Sequence, residues 1–476
     1  MHDKPAKQRK SVFLTTFNND YLISLHQKLL HSIKKSRYMN LFPTKLPLTV
    51  IILILLQFGN ANHANAQVKN PSFIIGDTLP NAPELSPRGA YPVGVQTMEL
   101  VNKNQVDVLK SIAGVDPMYD RHLQLEVWYP ALIPKDKKQL VTYHETLGIF
   151  KDSTRPLIPF SFLGRSLRNA QPDRSAGKFP LVIVSHGYPG SRLLLTYLTE
   201  NLASKGYIVV AIGHTESTYS DRAGFQSTLL NRAKDILFVL NQIAEMSKAD
   251  SKHFLAGLAD ADNTGIIGYS MGGYGVLNAA GAGYSKKLDS TFALLSGGSH
   301  AIKVRMTDQP EYKASYDKRI KAVVAFAPWG MQRGVWDAEG LKGLHVPTFF
   351  IAGSLDDVSG YENGIKAIYQ GATNANRYLL TYANARHNVA PNPPPPETLQ
   401  PGVNVSEYNH YAEPSWNEYR INNINQHFIT AFLGIQLKQQ DYGKFLDVQE
   451  NSNAKPWTGF KIRYSTGMEL LHALPK

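Results

Sequence analysis

The sequence predicts an α/β fold: a mainly parallel β-sheet with helices on both of its faces. From Phe179 onward, short continuous apolar runs alternate with longer segments of helical periodicity. Several of the apolar runs end at a glycine. Strands that are buried on both faces have such continuous apolar sequences, and strand–helix alternation is typical of a parallel sheet.

The individual elements follow from these patterns. Two early strand candidates, residues 93–100 and 123–130, are expected to extend one edge of the sheet by hairpin pairing, and the second alternates apolar and polar residues. Further along the chain we expect strands at residues 179–187, 208–214, 264–270, 320–328, 348–353 and 377–384, the last of these closing the sheet. Helical spacing predicts helices at residues 191–207, 225–246, 271–283, 361–371 and 415–438.

The domain organisation is expected to be simple, with residues 67–476 forming a single domain. Residues 131–178 and about 284–319 lack clear periodicity and are expected to be lid-like insertions. The proline-rich stretch 391–402 predicts a stiff, extended connector. There are no internal repeats.

Charge and composition exclude some classes of function. The chain has 476 residues, a net charge of +12 and no cysteine, so disulfides and thiolate catalysis are excluded. Residues 1–66 hold nine Lys or Arg and two Asp, which leaves only +5 on the remainder, with no basic block. Nucleic-acid binding is therefore not expected.

The N-terminal segment, residues 1–66, reads as a secretory signal. A cationic lead precedes a short apolar core, Leu48–Leu56, and the small residues Ala64 and Ala66 predict cleavage before Gln67. The apolar core is shorter than the roughly 20 residues of a membrane-spanning helix. We therefore expect export to the periplasm or outside the cell, without a stable membrane span after cleavage. An uncleaved anchor and a start at Met39 instead of Met1 remain alternatives.

One short stretch, "GIIGYSMGGYG", is the strongest indication of chemistry. It places Ser270 between Gly268 and Gly272, after an apolar run and before a helical one. Glycines on both sides allow a sharp strand-to-helix turn that exposes the serine hydroxyl. Ligands of open parallel sheets bind beyond the carboxyl ends of the strands, where this serine is expected to lie. An ordinary glycine-rich turn is the alternative.

A serine nucleophile needs a base and an acid that orients the base. On this architecture the expected chain order is Ser, then Asp or Glu, then His. Asp356 follows the strand 348–353, and His387 follows the strand 377–384. Both would reach the same sheet edge as Ser270. Asp357 as the acid, Asp356 as a helix cap and His387 as a surface histidine are the alternatives.

Acyl transfer also needs backbone donors for the developing oxyanion. We expect one from the N–H of Met271, the residue after the nucleophile, and one from the N–H of Tyr188 in "HGYPGS". The histidines His186 and His214 also end strands but precede Ser270 in the chain, so we interpret them as structural or pocket-lining.

Together, "VGVQTMEL", "VIVSHGYPGSR", "GIIGYSMGGYG" and "IAGSLDDVSG" resemble the α/β-hydrolase superfamily over roughly residues 90–440. More narrowly, the chain resembles predicted dienelactone hydrolases and platelet-activating factor acetylhydrolase-like esterases. Dienelactone hydrolases use a cysteine nucleophile, whereas this chain has a serine. The resemblance implies a serine carboxylic-ester hydrolase that needs no metal or cofactor. It matches Ser270 to the nucleophile, Asp356 to the acid and His387 to the base, with Tyr188 and Met271 as the oxyanion donors.

The sequence therefore predicts an exported serine esterase that acts through an acyl-enzyme on short-chain or compact small-molecule esters. A serine peptidase with the same triad is one alternative, and a non-catalytic binding protein is another. Polysaccharide acetyl or glucuronoyl esters also remain open as substrates.

Overall fold

A mixed β-sheet forms the framework of the molecule in the computed structural model, which describes residues 73–447 and 455–476. These residues lie in one compact unit, Pro71–Lys476. The expected signal segment and its cleavage site lie outside the described residues. The strands are β1 (Val93–Val106), β2 (Met118–Leu132), β3 (Val141–Leu147), β4 (Ile158–Gly164), β5 (Leu167–Arg168), β6 (Gln171–Pro172), β7 (Phe179–Ser185), β8 (Ile208–Gly213), β9 (Ala259–Tyr269), β10 (Ile320–Phe326), β11 (Thr348–Gly353), β12 (Arg377–Tyr382) and β13 (Met468–Ala473).

The centre of the sheet is parallel, as expected. The order of the main strands is β13-β12-β11-β10-β9-β7-β8-β2-β1-β5, with β6 paired to β2. The six central strands, β7 to β12, run parallel to one another, and nearly all of their residues are buried. Burial on both faces explains why their sequences are continuous apolar runs.

The two edges of the sheet are antiparallel. The expected hairpin is β1 and β2, and a bulge between Asn102 and Gln105 lets the pairing continue beyond the predicted end at residue 100. At the other edge the expectation was wrong, because β12 is not the last strand. The chain returns as β13, antiparallel to β12. Its six residues, MELLHA, are too short a run for alternation alone to predict a strand.

Helices cover both faces. Helices α1 and α9 pack together on one face, and α2 and α3 pack together on the other. The helices are α1 (Thr196–Ser204), α2 (Phe225–Met246), α3 (Met271–Ala279), α4 (Lys286–Leu295), α5 (Pro310–Ala314), α6 (Ala338–Lys342), α7 (Ala367–Gly371), α8 (Val405–Asn409) and α9 (Glu418–Lys438). None of the described helices is long and apolar enough to cross a membrane.

Local polar contacts explain several boundaries. Helix α9 begins at Glu418, three residues later than expected, because the Asn417 side chain accepts a hydrogen bond from the Arg420 N–H and caps the helix. The predicted helix 361–371 begins as a π-helical turn, Tyr361–Lys366, before α7.

The two insertions contain more regular structure than expected. Residues 131–178 include the antiparallel hairpin of β3 and β4, together with the short strands β5 and β6. The hairpin is anchored to α1, since the Tyr143 hydroxyl donates to Glu200 at 2.8 Å. Residues 284–319 form α4, a 3-10 turn at Ala301–Arg305, and α5. The proline-rich connector contains a short 3-10 helix, Pro396–Leu399.

Candidate active site

Three of the predicted residues meet at one rim of the sheet. Ser270 directly follows β9, Asp356 lies in the loop after β11, and His387 lies in the loop after β12. These strands are parallel, so their carboxyl ends face the same side. All three side chains are buried, with exposed fractions of 8% for Ser270, 6% for Asp356 and 8% for His387.

The turn at Ser270 is sharp and depends on its glycines. Ser270 has φ 54° and ψ −112°, a conformation that non-glycine residues rarely adopt. A Cβ on Gly268 would lie 2.1 Å from the Gly272 carbonyl oxygen, and one on Gly272 would lie 1.9 Å from the Ser185 carbonyl oxygen. Only glycine fits at either position. The backbone can therefore turn tightly enough to direct the serine hydroxyl toward the rim.

A chain of two hydrogen bonds links the three side chains. The distance from His387 Nε2 to Ser270 Oγ is 2.9 Å, and the distance from His387 Nδ1 to Asp356 Oδ2 is also 2.9 Å. With Nδ1–H donating to the carboxylate, Nε2 is left free to accept the serine proton. The geometry is that of a nucleophile, a base and an orienting acid.

Local hydrogen bonds keep Asp356 ionised. Its Oδ1 accepts from the N–H groups of Val358 at 2.9 Å and Ser359 at 2.7 Å. Burial alone would raise the pKa of Asp356, but the hydrogen bond and charge interaction with His387 and these two N–H groups hold it below its usual value. The carboxylate therefore remains available to orient the imidazole.

The alternative acid, Asp357, lies outside this chain of hydrogen bonds. It is half exposed and forms an ion pair with Arg386, with a distance of 2.6 Å between the charged atoms. Asp356 does not cap a helix, because the next helical segment begins at Tyr361 with Gly360 at its N-cap position. The N–H groups that its carboxylate accepts from belong to the turn before that segment. The geometry favours Asp356 over Asp357 as the partner of His387.

The two expected oxyanion donors lie next to Ser270. Met271 is the first residue of α3, where a backbone N–H has no partner within the helix. A Cβ on Gly187 would lie 3.6 Å from Ser270 Cβ, so the peptide that carries the Tyr188 N–H lies beside the nucleophile. Within residues 73–447 and 455–476, neither of these N–H groups donates a turn or loop hydrogen bond to another backbone group.

Sequence reasoning missed the group that holds this loop in place. Arg232, on α2, is fully buried and donates to the carbonyl oxygens of His186 at 2.5 Å and Gly187 at 3.1 Å, and also to the Ser217 hydroxyl. Carbonyls fixed in this way orient the following peptide N–H groups. A helical arginine carries no sequence signal for such a role, because it is indistinguishable from a surface arginine in the periodic pattern.

Behind the loop lies a second Ser–His–Asp arrangement. Ser185 Oγ is 2.8 Å from His214 Nε2, and His214 Nδ1 is 2.8 Å from Asp235, which also pairs with Arg121. All four residues are buried. Burial, together with Arg232 and Arg121, lowers the pKa of His214 to about 3, although Asp235 opposes this. His186 lies next to this arrangement, since its Nε2 accepts a hydrogen bond from the backbone N–H of His214 at 3.1 Å.

Aromatic side chains pack against one another near the nucleophile. The rings of Tyr188 and Phe225 are 5.2 Å apart, as are those of Phe225 and Trp329. The backbone N–H of Trp329 donates to the Ser270 carbonyl oxygen at 3.2 Å. Trp329 was not among the predicted site residues, although its position just after the strand 320–328 could have indicated it. Among the described residues, no group of three or more His, Asp or Glu side chains is arranged to hold a metal ion.

Part of this chain is similar in sequence to known proteins. A family model described as PET hydrolase-like matches residues 146–292, the segment that contains the Tyr188 loop and Ser270. Cutinase est1 of Thermobifida alba is 23% identical over 220 residues, which cover 46% of this chain and 56% of that protein. Cutinase 2 of Thermobifida cellulosilytica is 23% identical over 222 residues, or 46% of this chain and 64% of that protein. The chain thus spans less than two thirds of these relatives.

The fold also matches a solved structure. The ferulic acid esterase from Streptomyces cinnamoneus superposes with a TM-score of 0.51 at 19% identity, covering 80% of this chain and 96% of that one. This similarity shows a shared fold.

Proposed function

We propose that this chain, which has the α/β-hydrolase fold, is a serine hydrolase that cleaves carboxylic esters through an acyl-enzyme. The observation that carries the proposal is the hydrogen-bonded chain Ser270–His387–Asp356 at the rim of the sheet. The cutinases and the ferulic acid esterase named above support an ester substrate. The oxyanion donors, by their position beside Ser270, support acyl transfer.

The proposed reaction begins with attack by Ser270 Oγ on the ester carbonyl carbon, while His387 Nε2 takes the hydroxyl proton. The negative charge that develops on the carbonyl oxygen is stabilised by the N–H groups of Tyr188 and Met271. When the tetrahedral intermediate collapses, the carbon–oxygen bond to the alcohol breaks and His387 returns its proton to the leaving oxygen. The acyl group is then bonded to Ser270.

Deacylation repeats these steps with water. The water oxygen attacks the acyl carbon while His387 takes a proton from the water. This proton then passes to Ser270 Oγ as the carboxylic acid is released. Asp356 stays ionised throughout and stabilises the imidazolium form of His387. Compact small-molecule esters are the proposed substrates, and export is the proposed destination, based on the expected signal segment.

The direct test is the Ser270→Ala variant assayed with p-nitrophenyl acetate. We expect hydrolysis to fall to the background rate, because Ser270 is the described hydroxyl that contacts His387, and the Ser185 hydroxyl beside His214 is fully buried. A fluorophosphonate probe should label the wild-type chain and not the variant. A variant with wild-type turnover would refute the assignment of Ser270. A wild-type chain that resists the probe would favour a binding protein.

A further inference from the structure

The cleft beside Tyr188 has features that the ester mechanism does not use. It has a volume of about 760 Å³, within the range of small-molecule sites. One wall comes from the loop after β3, in the first insertion, and the other from the segment before α2. Its lining residues are Ile149, Phe150, Lys151, Asp152, Ser153, Tyr188, Arg222, Ala223, Gly224 and Phe225.

Two cations that line this cleft, Arg222 and Lys151, are without an ion-pair partner among the described residues. The Arg222 guanidinium lies over the Tyr188 ring at 5.7 Å, and its Nε is 3.5 Å from the Tyr188 hydroxyl. Lys151 Nζ lies 5.0 Å from the centre of the Phe150 ring. Within the part of the chain that the structure describes, neither forms an ion pair. By contrast, Arg155 close by is paired with Glu407 at 2.6 Å.

The acidic groups nearby are already engaged. The Asp152 carboxylate accepts from both the N–H and the hydroxyl of Thr154, at 3.0 and 2.6 Å. The Asp221 carboxylate accepts from the Glu216 N–H at 2.7 Å. These contacts hold both carboxylates in local turns, away from Arg222 and Lys151. Asp152 keeps its negative charge, so the two cations and this carboxylate give the lining of the cleft a net charge of +1.

We propose that this cleft is an anion subsite and that the preferred substrates are esters which also carry an ionised carboxylate, such as half-esters of dicarboxylic acids. The proposal rests on the proposed function, since the ester carbonyl must lie at Ser270. Tyr188 connects the two sites: its backbone N–H is the proposed oxyanion donor beside Ser270, and the Arg222 guanidinium lies over its ring. An arginine guanidinium can donate two parallel hydrogen bonds to a carboxylate, and a lysine adds a second positive charge.

The test compares monoethyl adipate with diethyl adipate, which differ in one charge at similar length. We expect kcat/KM for the half-ester to exceed that for the diester by about tenfold, mainly through KM, and the ratio to fall as salt is added. Arg222→Gln and Lys151→Gln should each lower this ratio several-fold. The exposed residues Arg463 and Lys444, substituted by Gln, serve as matched controls and should leave the ratio unchanged.

Failure of this inference is distinguishable from failure of the proposed function. The subsite is refuted if both adipates are hydrolysed but kcat/KM for the half-ester does not exceed that for the diester. It is also refuted if neither cleft variant changes this ratio. Either result leaves the esterase function intact. If neither ester is hydrolysed, calorimetric binding of monoethyl adipate to the Ser270→Ala chain still decides the question. We expect binding there, weakened about tenfold when Arg222→Gln is added. Undetectable binding, or binding that Arg222→Gln does not weaken, would refute the subsite.

Discussion

At the scale of single residues, the chemistry of Ser270 is determined by what its hydroxyl can reach. The imidazole of His387 lies at 2.9 Å, and its orientation depends on one carboxylate. Two adjacent aspartates compete for that role in the sequence, and composition or spacing cannot separate them. The structure distinguishes them by environment: Asp356 is buried against His387, whereas Asp357 faces Arg386 in solvent.

The two aspartates should therefore respond very differently to the same substitution. We expect Asp356→Asn to lower kcat by roughly 10⁴-fold, because an amide cannot hold His387 in the tautomer that accepts the serine proton. Asp357→Asn removes only an exposed ion pair and should change kcat less than about twofold. Steady-state kinetics on p-nitrophenyl acetate would measure both. Equal losses in the two variants, or a larger loss for Asp357→Asn, would contradict the assignment.

At the scale of elements, the strand–turn–helix from β9 to α3 is the part that sequence reasoning anticipated best. The turn residues Gly268 and Gly272 have no room for a side chain, so the pattern of glycines carried the information. The support from Arg232 was not predictable, because it depends on α2 packing against a loop about 45 residues earlier in the chain. The same holds for the hairpin of β3 and β4, because it lies in a segment rich in proline, glycine and charged residues that has no clear periodicity overall.

The nucleophile turn should tolerate no added methyl group. We expect Gly272→Ala to lower the free energy of unfolding by about 1–3 kcal/mol and to abolish most of the activity, since the new Cβ would collide with the Ser185 carbonyl. Gly443→Ala is the matched control, because a Cβ there meets nothing within 4 Å and the φ angle is ordinary. Thermal unfolding and ester turnover would test this. The prediction fails if the two variants behave alike.

At the scale of the whole molecule, the order of strand and helix was readable from apolar periodicity, and the parallel centre of the sheet followed from it. The strand at the far edge, β13, could not be predicted in this way. Strand β13 pairs with β12 along its full length, from Arg377 opposite Ala473 to Tyr382 opposite Met468. Edge strands carry a weak periodic signal because they are short and half exposed. This edge also supports the site, since the loop that bears His387 follows β12.

Deleting strand β13 should impair the active site. Deletion of residues 467–476 exposes β12 and removes the buried side chains of Met468 and Leu470, which contribute about 3–6 kcal/mol together. We expect a clear fall in Tm and in kcat. A shorter deletion, of Pro475 and Lys476 alone, leaves β13 intact and should change both little. Unaltered activity in the longer deletion would show that β12 holds His387 without its neighbour.

The spacing of the triad along the chain has a consequence for biosynthesis. His387 lies 117 residues after Ser270 and 31 after Asp356. Under the proposed mechanism, a nascent polypeptide that has not yet added β12 to the sheet has a nucleophile without its base. Such a polypeptide should therefore be inert toward esters until its last parallel strand docks and brings His387 to the rim.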